Sequence, residues 1–337
     1  HPNVKVPPSV NNFNVIPKPL LNWFVDVYRD GHRSVPPLAD SIAPLVVPTA
    51  IITIQGNAKI DVKEVASYPE TILSVMEFMG LKYAVGQSHV YCDGKELADC
   101  GKNKKTLLVP STDGTVLAAI QSGTTVTFKE LHSGKVDGTI STTNMFSRNG
   151  CIYTISNGKL VENSFSSFGN KTIHNINEIE NVAMTTSVVY DGCVIQDLLG
   201  KKFLTLPYAK GASFSKYLPA LDGYRVIDAK SEKTVTVIVA EKKGQFDRFV
   251  IVFNKKDYND FDVRKDEDIA YDTINFCVMD NGVCLLLSDP DSIQLFVNNS
   301  KIETLDNPPF DSTMKLFSTP DGIFFINNNS IHQIRKK

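Results

Sequence analysis

The residues able to do chemistry are scattered along the chain. His1, His32, His89, His132, His174 and His332 stand far apart, each without a catalytic motif around it. No GxSxG elbow, HExxH helix, phosphate-binding loop or GxGxxG turn occurs. The densest charged segment runs from Asp257 to Asp268, where alternating Asp and Asn offer oxygen ligands for a hard cation such as calcium. Asp262 occupies the sixth position of that loop, which a calcium loop reserves for glycine, and Arg264 and Lys265 supply counter-charge. The segment therefore reads first as a solvated loop.

The six cysteines are Cys92, Cys100, Cys151, Cys193, Cys277 and Cys284, with no CxxC pair to suggest zinc. If Asn281-Gly282 makes a two-residue hairpin turn, Met279 faces Cys284 and Cys277 faces Leu286. The two sulfurs then share a face but sit diagonally, a poor disulfide geometry. Six reduced, mostly buried thiols are expected, which favours an intracellular or virion setting over a secreted one. No motif calls for a cofactor or a metal, so the catalytic, cofactor and metal sets are empty. Turn carboxylates such as Asp113, Asp191, Asp222 and Asp321 are explained by turn chemistry.

The better candidates for contact are aromatic. Residues 1–48 hold nine prolines, too many for a regular element, yet they also hold the sole tryptophan. Trp23, Phe24 and Tyr28, followed by Arg33, are the expected partner-binding residues, because Trp and Tyr anchor interfaces disproportionately. The segment reads as an extended arm packed on its own chain or on a neighbour. The basic clusters Lys102–Lys105 and Arg335–Lys337 read as solubilising edges, lacking aromatics for base stacking.

These residues must be positioned by β-structure. Short apolar runs punctuated by Asp-Gly and Asn-Gly fill the chain from about residue 70. Val116–Ile120 pairs with Thr125–Phe128, Cys151–Ile155 with Leu160–Val161, Thr234–Val239 with Phe249–Phe253, and Val283–Leu287 with Ile293–Val297. Glu70–Met79 is the one segment with a helical pattern. A polar turn followed by an apolar strand recurs at Gly80, Gly114, Gly150, Gly192, Lys233, Gly282 and Gly322, in steps of 34, 36, 42, 41, 49 and 40 residues. A period near 40 with about four strands per unit is the signature of a β-propeller blade. Seven blades fit best, although six or eight also satisfy the spacing. The competing fold is a β-sandwich. The expected division is an arm, 1–48, and a propeller, 49–337. The last unit is short, and the strand Ala50–Gln55 is expected to complete it, closing the ring.

In period and strand–turn–strand grammar the blades resemble the WD40-like superfamily, although no blade carries its Trp-Asp or Gly-His signature. Asn22-Trp-Phe-Val-Asp-Val-Tyr with Arg33-Ser-Val-Pro-Pro-Leu, and Gln245–Phe253 with Phe261-Asp-Val-Arg, look like segments of propeller-bearing tailed-phage virion proteins of the tail nozzle or hub type. That resemblance implies a non-enzymatic subunit of a symmetric assembly.

Charge agrees with such a role. Thirty-five basic residues against 37 acidic ones exclude a general nucleic-acid binder, and no apolar stretch reaches membrane-spanning length. The expected function is a structural or scaffolding subunit that binds other protein subunits, copies of itself among the candidates, through the propeller faces and the arm. The alternatives are a glycan-binding or glycan-cleaving propeller, marked by carboxylates and aromatics converging at one channel mouth, and an intracellular WD40-like adaptor.

Overall fold

The computed structural model describes residues 18–31, 60–102, 104–168, 171–254, 258, 260–270, 274–289, 292–306 and 308–336. The chain divides into two compact units, His1–Val47 and Pro48–Lys337. In the first, Lys18–Tyr28 forms an α-helix, which corrects the expectation that the proline-rich arm holds no regular element. Pro17 and Pro19 flank the first helical residue, where the N–H would have no intrahelical partner anyway.

The second unit contains seven four-stranded antiparallel sheets. Six are built from consecutive strands and are numbered here as blades 1 to 6. Their first strands are Ile72–Phe78, Lys105–Pro110, Met145–Arg148, Ser187–Tyr190, Arg225–Glu232 and Phe276–Val278. Blade 7 takes Lys315–Thr319, Gly322–Asn327 and Ser330–Lys336 from the C-terminal end and Ile60–Ser67 from before blade 1. The closing register pairs Val62 with Ile334 and Glu64 with His332. Closure by an upstream strand follows the expectation, but the strand is Ile60–Ser67. Ala50–Gln55 lies outside the described residues.

Each turn that set the 40-residue period joins the first and second strands of a blade. The second strands are apolar on both faces because each is sandwiched. In Val116–Ser122, Val116, Ala118 and Ile120 pack toward blade 1, while Leu117 and Ala119 pack toward blade 3. Seven separate apolar clusters fill the seven blade-to-blade interfaces, including the one between blades 7 and 1. The ring is closed by packing as well as by hydrogen bonds.

Three further local readings are corrected. Glu70–Met79 is not helical, because Ile72–Phe78 is the first strand of blade 1 and pairs with Leu81–Gly86. The turn after Val278 holds three residues, with Met279 N–H bonded to the Val283 carbonyl. Cys277 is therefore opposite Leu285, and Val278 opposite Cys284. The two sulfurs lie on opposite faces of the blade, one in each flanking core. The third correction concerns the acidic segment. Phe261–Asp266 is the outer strand of blade 5 rather than a loop, and Asp266 is engaged by Arg248 (3.1 Å) and Arg264 (3.3 Å). Asp257 lies outside the described residues.

Candidate functional site

First strands of successive blades approach one another around a central channel. Long polar side chains tie them together there. Lys105 Nζ donates to the Met145 carbonyl (2.6 Å), Lys230 Nζ to Phe276 (2.7 Å) and Lys315 Nζ to Leu73 (3.3 Å), each reaching the next blade. Asn275 does the same with both ends of its amide, donating to the Met314 carbonyl and accepting from Leu316 N–H (2.9 Å). Lysine suits this place because its stem packs along apolar wall while the ammonium keeps its remaining donors for water or ligand.

A cleft of about 310 Å³ opens among these strands, lined by Asp191, Asp228, Lys230, Asn275, Ser312 and Lys315. Burial pushes the Asp228 carboxyl up. Backbone N–H groups of Ala229 and Ile274 oppose that rise, and the negative charge of Asp191 adds to it. The Lys315 ammonium is pushed down, chiefly because protein surrounds it, although water reaches it through the channel. Asp191 and Glu232 support its charge, while Lys230 and Lys105 oppose it. The cleft thus gathers two carboxylates and two ammonium groups from blades 4, 5 and 7, with neither sign in excess. It can hold polar or charged groups by hydrogen bonds. Among the described residues, no group of three or more His, Cys, Asp or Glu is arranged to hold a metal ion.

A buried cation does purely structural work nearby. Arg148, at the end of the first strand of blade 3, donates to the Pro207 carbonyl (2.6 Å), to Ser231 Oγ (3.1 Å) and to the Lys233 carbonyl. One guanidinium, with its five fixed donors, joins three blades.

Of the residues expected to bind partners, Trp23, Phe24 and Tyr28 fall on the helix Lys18–Tyr28. The Trp23 and Phe24 rings lie 5.0 Å apart, and Phe24 stacks with Tyr28 at 6.1 Å, the i, i+4 spacing of one helix face. Tyr28 is 78% exposed. Arg33 lies outside the described residues. The channel residues were missed by sequence reasoning. Their available signal was periodic: Lys105 and Lys315 both open the first strand of a blade.

The residues that line this cleft include carboxylates and lysines and no aromatic side chain. Among the described residues, Tyr208, Phe214, Phe253, Tyr258 and Phe261 form one aromatic group that packs between blades 4 and 5.

Seven four-stranded sheets in a ring and seven filled interfaces decide the architecture. The chain is a seven-bladed β-propeller. No protein-family model and no curated protein matches its sequence. Among solved structures, the propeller is similar to the β-propeller domain of Cps50 (Swd1) from Myceliophteria thermophila. The two are 10% identical with a TM-score of 0.46, covering 82% of this chain and 99% of that one. It is also similar to the Nup133 β-propeller domain of Vanderwaltozyma polyspora, at 9% identity and TM-score 0.47, covering 86% and 99%. A third likeness is to the gluconolactonase XC5397 of Xanthomonas campestris, at 9% identity and TM-score 0.44, covering 87% and 99%. The strand order of the seven sheets bears out the propeller reading of the blades.

Proposed function

We propose that this propeller is a non-enzymatic scaffolding subunit that binds protein partners through its loop-built faces and through the aromatic side of its N-terminal helix. The observation that carries the reading is the pairing of a self-sufficient ring with an amphipathic helix. All seven interfaces are filled by the chain's own apolar clusters, so the faces are free for partners, and Trp23, Phe24 and Tyr28 present contiguous aromatic surface. The finer placement, a subunit of a virion assembly, rests on the arm and blade 5 resemblances alone. Arg33 joins the three aromatics in the proposed contact set.

Native mass measurement on the full chain, beside the triple substitution Trp23→Ala, Phe24→Ala and Tyr28→Ala, tests this. The expected result is an oligomer or stable complex that the substitutions dissolve while the propeller stays folded. A monodisperse monomer indifferent to all three would reject the assembly reading.

A further inference from the structure

The hairpin joining the second and third strands of blade 4 breaks a local rule twice. Its turn is Leu199-Gly200, with φ of 54° and 84°, a geometry that favours Asn or Gly at the first position. The corresponding turn of blade 3 obeys the rule with Asn157-Gly158. A leucine with positive φ is sterically strained, and this one is also completely solvent-exposed, at 105%. An asparagine would relieve both problems, so nothing in the fold accounts for the leucine. Residues that violate local consistency without structural gain point to function.

The surroundings extend the feature. Leu198 is 39% exposed and Met184, in the segment entering blade 4, is 69% exposed. That segment is strapped to the same end of the blade, with Ala183 N–H donating to Gln196 Oε1 (3.0 Å) and Asp197 N–H to the Thr186 carbonyl (2.8 Å). Turns between second and third strands all emerge on one face of a propeller, so the blade 4 tip and the neighbouring tip Lys242-Lys243-Gly244 share that face. Lys201, Lys242 and Lys243 are exposed. The nearby carboxylates are already engaged, Asp197 by Lys202 and Glu241 by Arg225. The result is a convex apolar knob flanked by lysines on a broad face.

We infer that this face docks on an anionic lipid surface, with Leu199, Leu198 and Met184 entering the interface and Lys201, Lys242 and Lys243 meeting the headgroups. A projecting knob with basic flanks suits a soft, flat, negatively charged layer, into which apolar side chains and nearby cations each add affinity.

Co-sedimentation of the full chain with phosphatidylcholine vesicles, with and without phosphatidylserine, tests the inference without any protein partner. Binding is expected only with phosphatidylserine, and raised salt weakens it. Leu199→Asn should reduce it about fivefold, with a melting temperature equal to or above that of the unsubstituted chain. Lys201→Glu combined with Lys243→Glu should reduce binding by more than about tenfold, since each lysine is worth roughly fivefold. Absence of co-sedimentation with phosphatidylserine, or binding untouched by Leu199→Asn, overturns the inference. If Leu199→Asn instead changes only the oligomeric state, the knob belongs in a protein pocket and the lipid assignment is equally overturned.

Discussion

Two glycines show how differently one residue type is constrained. Gly192 has φ of 80°, and a Cβ added there would lie 2.0 Å from the Ser231 carbonyl oxygen, which is backbone and cannot yield. Gly200 has φ of 84° with open space around it. Gly192→Ala is expected to cost about 3 kcal/mol or more, and Gly200→Ala only about 1 kcal/mol of backbone strain. Denaturant midpoints followed by circular dichroism would check the contrast; equal losses would show that the close approach of blades 4 and 5 is dispensable. Asp228 gives a pH-dependent test. Burial raises its carboxyl in the folded chain, whereas the unfolded chain titrates near the ordinary value of about 3.9. The native state thus keeps the proton to higher pH, and stability from this group falls as pH rises from the unfolded value to the folded one. Asp228→Asn should therefore melt higher than the unsubstituted chain at about pH 7 and equal it at about pH 3. Identical melting at both would remove the buried-carboxylate argument. None of this was legible in sequence, because the partners of Gly192 and Asp228 come from blades 4 to 6 and only the closed ring brings them together.

At the scale of elements, the sequence was most readable where the physics is local. Asn149-Gly150, with φ of 50° and 69°, forms the hairpin turn its composition demands. All seven period-setting turns fell between first and second strands because that hairpin is tight in every blade. Within the propeller the misread segments share a cause, strand pairing that outweighed local pattern, whereas in the arm the prolines hid the helix Lys18–Tyr28. Ile72–Phe78 carries a helix-like spacing but is held extended by Leu81–Gly86. The turn at Asp280–Gly282 took one more residue than the two-residue form, moving Cys277 and Cys284 to opposite faces. The longest step, from Lys233 to Gly282, spans the long second and third strands of blade 5 and the chain between Asp266 and Phe276. The closing strand offers the test at this scale. Val62 is 2% exposed in the core between blades 6 and 7, while its neighbour Lys63 is exposed. Val62→Ala should cost about 2 kcal/mol and Lys63→Ala less than about 0.5 kcal/mol, measured as shifts in denaturant midpoint. Similar small shifts for both would mean that Ile60–Ser67 contributes little to closure.

Across the whole molecule, the near-neutral charge described by composition resolves into distinct zones. The channel balances carboxylates against lysines, blade 5 buries an ion-paired network around Asp247 and Asp266, and the blade 4 and blade 5 tips carry exposed Lys201, Lys242 and Lys243. Composition could not reveal this, since it averages over surfaces that the ring keeps apart.

The closing strand also has a consequence in time. Ile60–Ser67 leaves the ribosome before blades 1 to 6, and its partner Ser330–Lys336 only after them. While blades 1 to 6 are made, this strand waits unpaired as six consecutive-strand sheets form by short-range hairpin closure. Joining the two ends then requires the largest loop in the chain, an entropically costly, high-contact-order step. Until it happens, blades 1 and 7 each leave an apolar side uncovered. The latch that completes the ring is thus also the stage at which a nascent chain is most exposed to wrong partners.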